Sequence, residues 1–584
     1  MKNGRKKQEQ IHLGAHGEDY GNWMPVSMLR LVGGLAALAA VLSLLSFAVF
    51  HITALGVVFV IDALLLLALL LWITWIRRRY AFEGGGMMEQ VHQIVLSHLD
   101  FDGQGQLLDV GCGSGALSIR AALTWRAAQV VGIDYWGSAY GYGQAMCEKN
   151  AESEGVAAQC RFQHGDANRL DFILMEPLYL ESCYITPEFD DKCVCFEYRL
   201  SRSGASAVEF SIAFEGKFAA CVSAVPNGKK GMVKVQLDQT GLKSWNFEEE
   251  LAWTPETPRL FDVEIRTYDE KGVTDLVRTY FGMRKVSIDN GKFMLNNREY
   301  YQKLVLDQGY WEESLLTAPS DEAFIKDIEL TKAMGFNGVR KHQKVEDPRY
   351  LYHADRLGLL VWGELGSAYL YSREYAGRMY TEWIEAVKRD YNHPCIVAWT
   401  PLNESWGVQE IKADKYQQAH CNALMYMIKS VDTSRVVIDN DGWEHTCGDL
   451  LTIHDYTASG KVLKKHFESL EAVLSLCPGR RSLFADGWSY QGQPVLLTEF
   501  GGVRYVPGTE VKHSWGYCDA SSAEEFADKY AEIMKAVHES PVIQGYCYTQ
   551  LTDVEAEENG LLTYQRGLKM PLEKIRAINE GYRK

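Results

Sequence analysis

Ile396-Val397-Ala398-Trp399-Thr400-Pro401-Leu402-Asn403-Glu404-Ser405 is an apolar run that gives way to a carboxylate. Continuous apolar runs of this length suit strands covered on both faces, as in a parallel sheet. Pro494-Val495-Leu496-Leu497-Thr498-Glu499-Phe500-Gly501-Gly502 repeats the form and places Glu499 likewise. Working outward, six more short runs appear: Tyr301-Gln302-Lys303-Leu304-Val305, Asn337-Gly338-Val339-Arg340, Leu359-Leu360-Val361-Trp362, Val436-Val437-Ile438, Leu451-Thr452-Ile453 and Ile543-Gln544-Gly545-Tyr546. They alternate with helical patterns across residues 284–584, and eight such repeats predict a closed (β/α)8 TIM barrel.

In that fold the active site lies where the strands end, so polar residues just after each run are the candidates. Either Glu404 or Glu499 alone has a bland explanation as a surface acid. As a pair on opposite sides of a barrel mouth they fit glycosidic cleavage, in which one carboxyl protonates the leaving oxygen while the other attacks the anomeric carbon. A separation near 5 Å would mean retention of configuration.

With Gly335-Phe336-Asn337-Gly338-Val339-Arg340, Asp390-Tyr391-Asn392-His393-Pro394 and Tyr548-Thr549-Gln550-Leu551, these segments resemble family 2 glycoside hydrolases, the β-galactosidase, β-mannosidase and β-glucuronidase group. The resemblance spans roughly residues 173–584. It implies Glu404 as acid/base, Glu499 as nucleophile, Asn403 on the sugar 2-hydroxyl, Arg340 orienting Glu499, and Tyr456 beside the nucleophile. It also implies Tyr548 in the eighth-strand place of an aromatic platform, with His454 and Trp406 completing the substrate contacts. Trp362 and Trp399 read as barrel filling, and His342 and His393 as structural hydrogen-bonding residues. Glucuronidases of the group carry Asn-Lys-Lys before a Gly-aliphatic-aromatic-Thr sequence. Here Glu557-Glu558-Asn559 stands there, so a uronate would meet negative charge and neutral β-glycosides are expected.

Residues 173–283 change to short alternating strands such as Cys193-Val194-Cys195-Phe196-Glu197-Tyr198 and Ala207-Val208-Glu209-Phe210-Ser211-Ile212. About seven of these, with turns every ten or so positions, predict an immunoglobulin-like β-sandwich with a supporting role.

Residues 84–172 carry a strand and a glycine turn, Leu108-Asp109-Val110-Gly111-Cys112-Gly113-Ser114-Gly115, and then a helical stretch with Leu117, Ile119 and Ala122. Glycines permit the sharp turn and close ligand approach. Val130-Val131-Gly132-Ile133-Asp134 then ends a second strand on a carboxylate placed to accept ribose hydroxyls. The segment resembles class I S-adenosylmethionine methyltransferases. That resemblance implies S-adenosylmethionine held by Asp109, Gly111, Gly113 and Gly115, with Asp134 at the ribose and Asp166 beside the adenine. The later strands of that family are missing, so a partial Rossmann-like half-domain with an open first-strand edge is expected, and methyl transfer is doubtful.

Leu31–Phe50 holds no charged residue and Ile52–Ile76 only Asp62, so each can cross about 30 Å of hydrocarbon as a helix. Residues 31–79 are thus expected to form a transmembrane hairpin after a basic tail, 1–30. Lys2, Arg5, Lys6, Lys7 and Arg30 before it, and Arg77, Arg78 and Arg79 after it, place both termini in the cytoplasm. If the hairpin belonged to an artefactual join near 171–178, the barrel would be cytoplasmic.

Composition agrees. The 584 residues, 47% hydrophobic and 23% charged, call for several folded domains rather than disorder. A net charge of −16 disfavours nucleic acid as a partner. The 13 cysteines lack zinc spacing, so no metal is expected and the thiols read as reduced. The expected activity is a retaining β-glycosidase that needs no cofactor. The alternatives are an S-adenosylmethionine methyltransferase with the barrel as scaffold, or a non-catalytic membrane-associated chimera; oligomeric state stays open.

Overall fold

The computed structural model describes residues 20, 26–82, 86–99, 101, 103–136, 143–165, 178–238, 242, 246–508 and 513–581. The chain divides into two compact units, Met1–Met175 and Glu176–Lys584. Asp166, most of the basic tail and the 171–177 junction lie outside the described residues.

The first unit opens with α1 (Val26–Ala48) and α2 (Thr53–Arg79), both long and apolar enough to cross a membrane. They pack against each other. The Ser43 hydroxyl donates to the Gly56 carbonyl at 3.1 Å, and the Phe47 ring lies so close to Gly56 that a Cβ there would sit 2.7 Å from it. Large apolar side chains such as Leu64, Leu65 and Leu71 face outward, which suits a lipid surface. After α3 (Met87–His98) come β1 (Gln106–Val110), α4 (Ala116–Thr124), β2 (Gln129–Asp134), α5 (Gln144–Ser153) and β3 (Cys160–His164). The three strands form a parallel sheet in the order β1-β2-β3. Among the described residues β1 is therefore an edge, with Leu108 and Val110 exposed.

The second unit begins with a sandwich of seven antiparallel strands: β4 (Leu180–Glu188), β5 (Cys193–Leu200), β6 (Ala207–Phe214), β7 (Lys217–Ala224), β8 (Lys230–Gln236), β9 (Phe261–Asp269) and β10 (Gly272–Phe281). One sheet runs β4-β5-β8 and the other β10-β9-β6-β7. Alternate residues point inward, and Phe196, Phe210, Phe261 and Phe281 make the aromatic centre of its core. The sandwich is fastened to the barrel by Asn392, whose amide accepts from the Ile185 N–H at 2.8 Å and donates to the Cys183 carbonyl at 2.9 Å.

The barrel strands are β11 (Gln302–Asp307), β12 (Gly338–Lys341), β13 (Leu360–Glu364), β14 (Ile396–Thr400), β15 (Val436–Val437), β16 (Leu451–His454), β17 (Val495–Glu499) and β18 (Ile543–Tyr548). They form one parallel sheet in the order β15-β14-β13-β12-β11-β18-β17-β16, with β18 paired to β11. Five of the surrounding helices start where the sequence supplies a Ser or Asp cap: Ser320, Asp347, Ser372, Asp414 and Ser522 each accept a first-turn N–H. Each such cap contributes about 1 kcal/mol. Trp362 and Trp399 are barrel filling, with their indole N–H groups satisfied by Gln302 and Asp432, both at 2.8 Å. His393, paired with Asp355 at 2.5 Å, is structural as expected.

Candidate active site

Every barrel strand delivers its last residues to one end, and at that end four strands place charged groups around Arg340. This residue, on β12, is fully buried. Its Nε lies 2.8 Å from Glu364, and its Nη1 lies 2.6 Å from Asp441 and 2.8 Å from Glu499. Its Nη2 donates to the Asn403 side-chain carbonyl at 2.7 Å. Burial disfavours the guanidinium charge, but Asp441, Glu364 and Glu499 outweigh it and hold the group protonated well above its ordinary range.

Glu499 ends β17 with 6% of its side chain exposed, and both oxygens are held. Arg340 takes Oε1, and the Tyr456 hydroxyl donates to Oε2 at 2.6 Å. Burial and the Glu499 charge keep that phenol far from ionising. The Tyr456 ring stacks on Tyr517, which stands half-exposed at the mouth beside Trp515.

Glu404 sits in a β-turn closed by the Trp406 N–H donating to the Asn403 carbonyl at 2.9 Å. Its two central residues, Glu404 (φ 52°) and Ser405 (φ 60°), are both left-handed, a conformation costly for side chains with a Cβ. Neighbours hold it there. The Glu404 N–H donates to the Asp441 carbonyl at 2.9 Å, the Ser405 N–H to Asn440 at 2.9 Å, and the Ser405 hydroxyl to Glu444 at 2.6 Å. The result is a carboxylate with 24% of its side chain exposed.

His454 ends β16, fully enclosed, with Nδ1 2.8 Å from Glu404 and 3.5 Å from Glu499. Its Nε2 lies 3.2 Å from Asp441. The ring reaches this position because residue 442 is glycine with φ 106°, where a Cβ would come within 2.7 Å of Nδ1. One oxygen of Glu404, one oxygen of Glu499 and the His454 nitrogen all lie within 4.8 Å of one another. These three groups have the spacing of metal ligands. Both ring nitrogens face carboxylates, however, which suits an imidazolium donor better than a metal-binding lone pair.

The barrel residues expected from sequence thus converge, with one correction. Tyr548 is fully buried and packs on Tyr530 and Phe500, facing the helical layer, so it cannot support a sugar ring. Its neighbour Thr549 comes to the site instead, 3.2 Å from the Tyr456 hydroxyl. Trp406 does stand at the mouth, 42% exposed and edge-on to Tyr369. Glu557 is half-buried, accepting from Gln308 at 3.1 Å and Asn559 at 3.2 Å. Burial and Glu499 push its carboxyl upward. Sequence reading missed Glu364 and Asp441, although both end apolar runs and the strand-end rule reaches them.

In the other unit Gly111, Gly113 and Gly115 form the turn after β1, and Asp134 at the end of β2 meets it. The Gly113 N–H donates to Asp134 Oδ2 at 2.8 Å and the Trp136 N–H to Oδ1 at 2.9 Å. Asp109 accepts from Ser118 at 2.6 Å, with burial raising its carboxyl above the usual range. Space is open at Gly111, where a Cβ would meet nothing within 4 Å. The cradle fits the nucleoside end of S-adenosylmethionine, with Asp134 keeping one further lone pair on each oxygen.

Residues 286–578 match the family described as "Glycosyl hydrolases family 2, TIM barrel domain", residues 178–284 "Glycosyl hydrolases family 2", and residues 102–178 "Methyltransferase domain". A β-galactosidase of Photobacterium profundum is 26% identical over 283 residues, covering 46% of this chain and 26% of that protein. One from Lactococcus lactis is 30% identical over 195 residues, covering 32% of this chain and 18% of that protein. The matched segment spans about a quarter or less of such relatives. Among solved structures, Bifidobacterium dentium β-glucuronidase superposes with a TM-score of 0.55 at 20% identity, over 70% of this chain and 68% of that one. A β-galacturonidase from Eisenbergiella tayi reaches 0.55 at 18% identity, over 69% and 72%. At that identity the likeness is one of fold.

Proposed function

The chain belongs to glycoside hydrolase family 2, and from that premise we propose that it hydrolyses β-glycosides with retention, Glu499 acting as nucleophile and Glu404 as acid/base. The observation that carries this reading is the spacing of the pair, with carboxylate oxygens no more than 4.8 Å apart. Retaining enzymes hold their carboxyls about 5–5.5 Å apart, whereas inverting enzymes open the gap to about 6.5–9.5 Å for a water. In the first step Glu499 attacks the anomeric carbon while Glu404 protonates the departing oxygen. In the second, Glu404 takes a proton from water, whose hydroxyl displaces the Glu499 ester. Arg340 and Tyr456 aim the nucleophile's two oxygens, and Asn403, its carbonyl engaged by Arg340, offers its N–H end to the 2-hydroxyl.

The sugar we propose is neutral. Relatives named β-galactosidase favour a galactoside, and Glu557 would repel a uronate. Incubating the full-length protein with aryl β-galactosides and β-glucuronides tests the reading. Hydrolysis of the former, first release of the β-anomer by NMR, and loss in Glu499→Gln are expected; turnover by Glu499→Gln equal to wild type would refute it.

We further propose that α1 and α2 anchor the protein with both termini in the cytoplasm, on the charge asymmetry of their flanks. Cysteine labelling of intact cells checks this. A second reading rests on the glycine turn and the Asp134 carboxylate that meets it: Gly111, Gly113 and Asp134 would hold S-adenosylmethionine, which supplies an activated methyl group when bound. Calorimetric titration with that cofactor, and its loss in Asp134→Ala, decides the matter.

A further inference from the structure

We propose that His454 is a positioning residue whose Nδ1 proton is shared between Glu404 and Glu499 and sets the alkaline limit of the acid-catalysed step; this rests on the glycosidase reading above. A neutral imidazole has one N–H and one lone pair. Here Nδ1 faces Glu404 at 2.8 Å and Glu499 at 3.5 Å, while Nε2 faces Asp441 at 3.2 Å. A lone pair pointed at a carboxylate oxygen is repulsive, so Nδ1, which faces two of them, carries hydrogen, and Asp441 beside Nε2 favours a second proton there.

The charged groups facing the ring come from four elements: Glu404 after β14, Asp441 after β15, Glu499 on β17, and Arg340 on β12 with Nη1 3.5 Å from Nε2. Arg340 is itself spent on Glu364, Asp441 and Glu499. The Trp443 ring, 5.6 Å away, is neutral. Burial opposes an imidazolium, but Glu499 and Asp441 prevail and push His454 up to about 10. Burial likewise favours a protonated Glu404, yet the His454 hydrogen bond and charge hold that carboxyl below its ordinary value.

When Glu404 gives its proton to the glycosidic oxygen, the C1–O bond breaks, the Glu499–C1 bond forms, and the electron pair left on Glu404 faces the Nδ1–H. Esterification removes the Glu499 charge, so that N–H then serves Glu404 alone. Glu404 next receives the water proton as hydroxide adds to C1 and the ester breaks. His454 keeps both its protons throughout. It thus favours the carboxylate needed as base, at the expense of the acid needed first.

The test uses the full-length protein and two substrates, phenyl and 2,4-dinitrophenyl β-galactoside. Departure of the second needs no proton. In His454→Gln the alkaline limb of kcat/KM moves up by at least one pH unit for the phenyl substrate and stays in place for the dinitrophenyl one. Unmoved limbs with an equal loss on both substrates mark a purely structural role and overturn the proposal. If that variant does not fold, His454→Asn and the ring ¹⁵N shifts of wild type at pH 8 serve: a neutral imidazole overturns it. Wild type inactive on both substrates would sink the glycosidase reading, while the ¹⁵N shifts still report the ring's charge.

Discussion

Arg340 Nη1 stands 2.8 Å from Glu499 Oε1, joining the second and seventh barrel strands through a fully buried guanidinium. The same side chain holds Asn403 at 2.7 Å, so the proposed nucleophile and the amide proposed for the sugar 2-hydroxyl share one support. Removing it strips Glu364, Asp441 and Glu499 of the cation they share. Arg340→Met is expected to lower stability by about 3–5 kcal/mol, and Arg340→Lys, which lacks the planar fork, to keep the fold but lose most activity. Urea unfolding and aryl galactoside kinetics check both.

Tyr456 donates to Glu499, the proposed nucleophile, at 2.6 Å. A hydrogen bond to a charged group contributes about 1.5–3 kcal/mol, so Tyr456→Phe is expected to slow turnover by roughly 10- to 150-fold. The fold should be untouched, because the ring and its stack on Tyr517 remain. Steady-state kinetics beside circular dichroism separates the two effects.

On the neutral-sugar reading proposed above, Glu557 would set negative charge against a sugar carboxylate. Glu557→Lys is expected to raise kcat/KM for a β-glucuronide relative to a β-galactoside by about tenfold or more, the scale of one reversed charge contact. An unchanged ratio would remove Glu557 from substrate recognition.

Stability should depend on pH through His454. Its folded-state value, about 10, lies above that of an unfolded histidine, about 6.5. A raised group contributes stability that is fully present below the unfolded value and lost as pH climbs through the folded one. The midpoint of thermal unfolding should therefore fall between about pH 6.5 and 10, with a shallower fall in His454→Gln, as calorimetry across that window would show.

Trp406, in the same turn as Glu404 and 42% exposed, is the ring that the proposed mechanism would set against the leaving group. Trp406→Ala is expected to raise KM for aryl glycosides about threefold to tenfold, the worth of one lost ring contact, and to leave methyl glycosides unchanged.

Much of this architecture is legible in order along the chain. Eight apolar runs spaced by helices define a barrel, alternating strands define the sandwich, and two long apolar runs define the membrane-length helices, because burial period is written locally. Glu404 and Glu499 are equally visible, since strand ends meet at one mouth in this fold. Tyr548 departs from its expected place because a strand's alternate residues face opposite sides, and a shift of one residue, from Tyr548 to Thr549, exchanges the mouth for the helical layer.

What only the tertiary structure decided is how the charges are shared. Arg340, Glu364, Glu404, Asp441, His454 and Glu499 come from six separate strands or the loops after them, and nothing in their spacing says that one guanidinium and one imidazole lie among four carboxylates. Coulombic energy in a buried site depends on distances of a few ångströms between segments a hundred residues apart. Sequence determined which side chains arrive; packing determined which of them hold the protons.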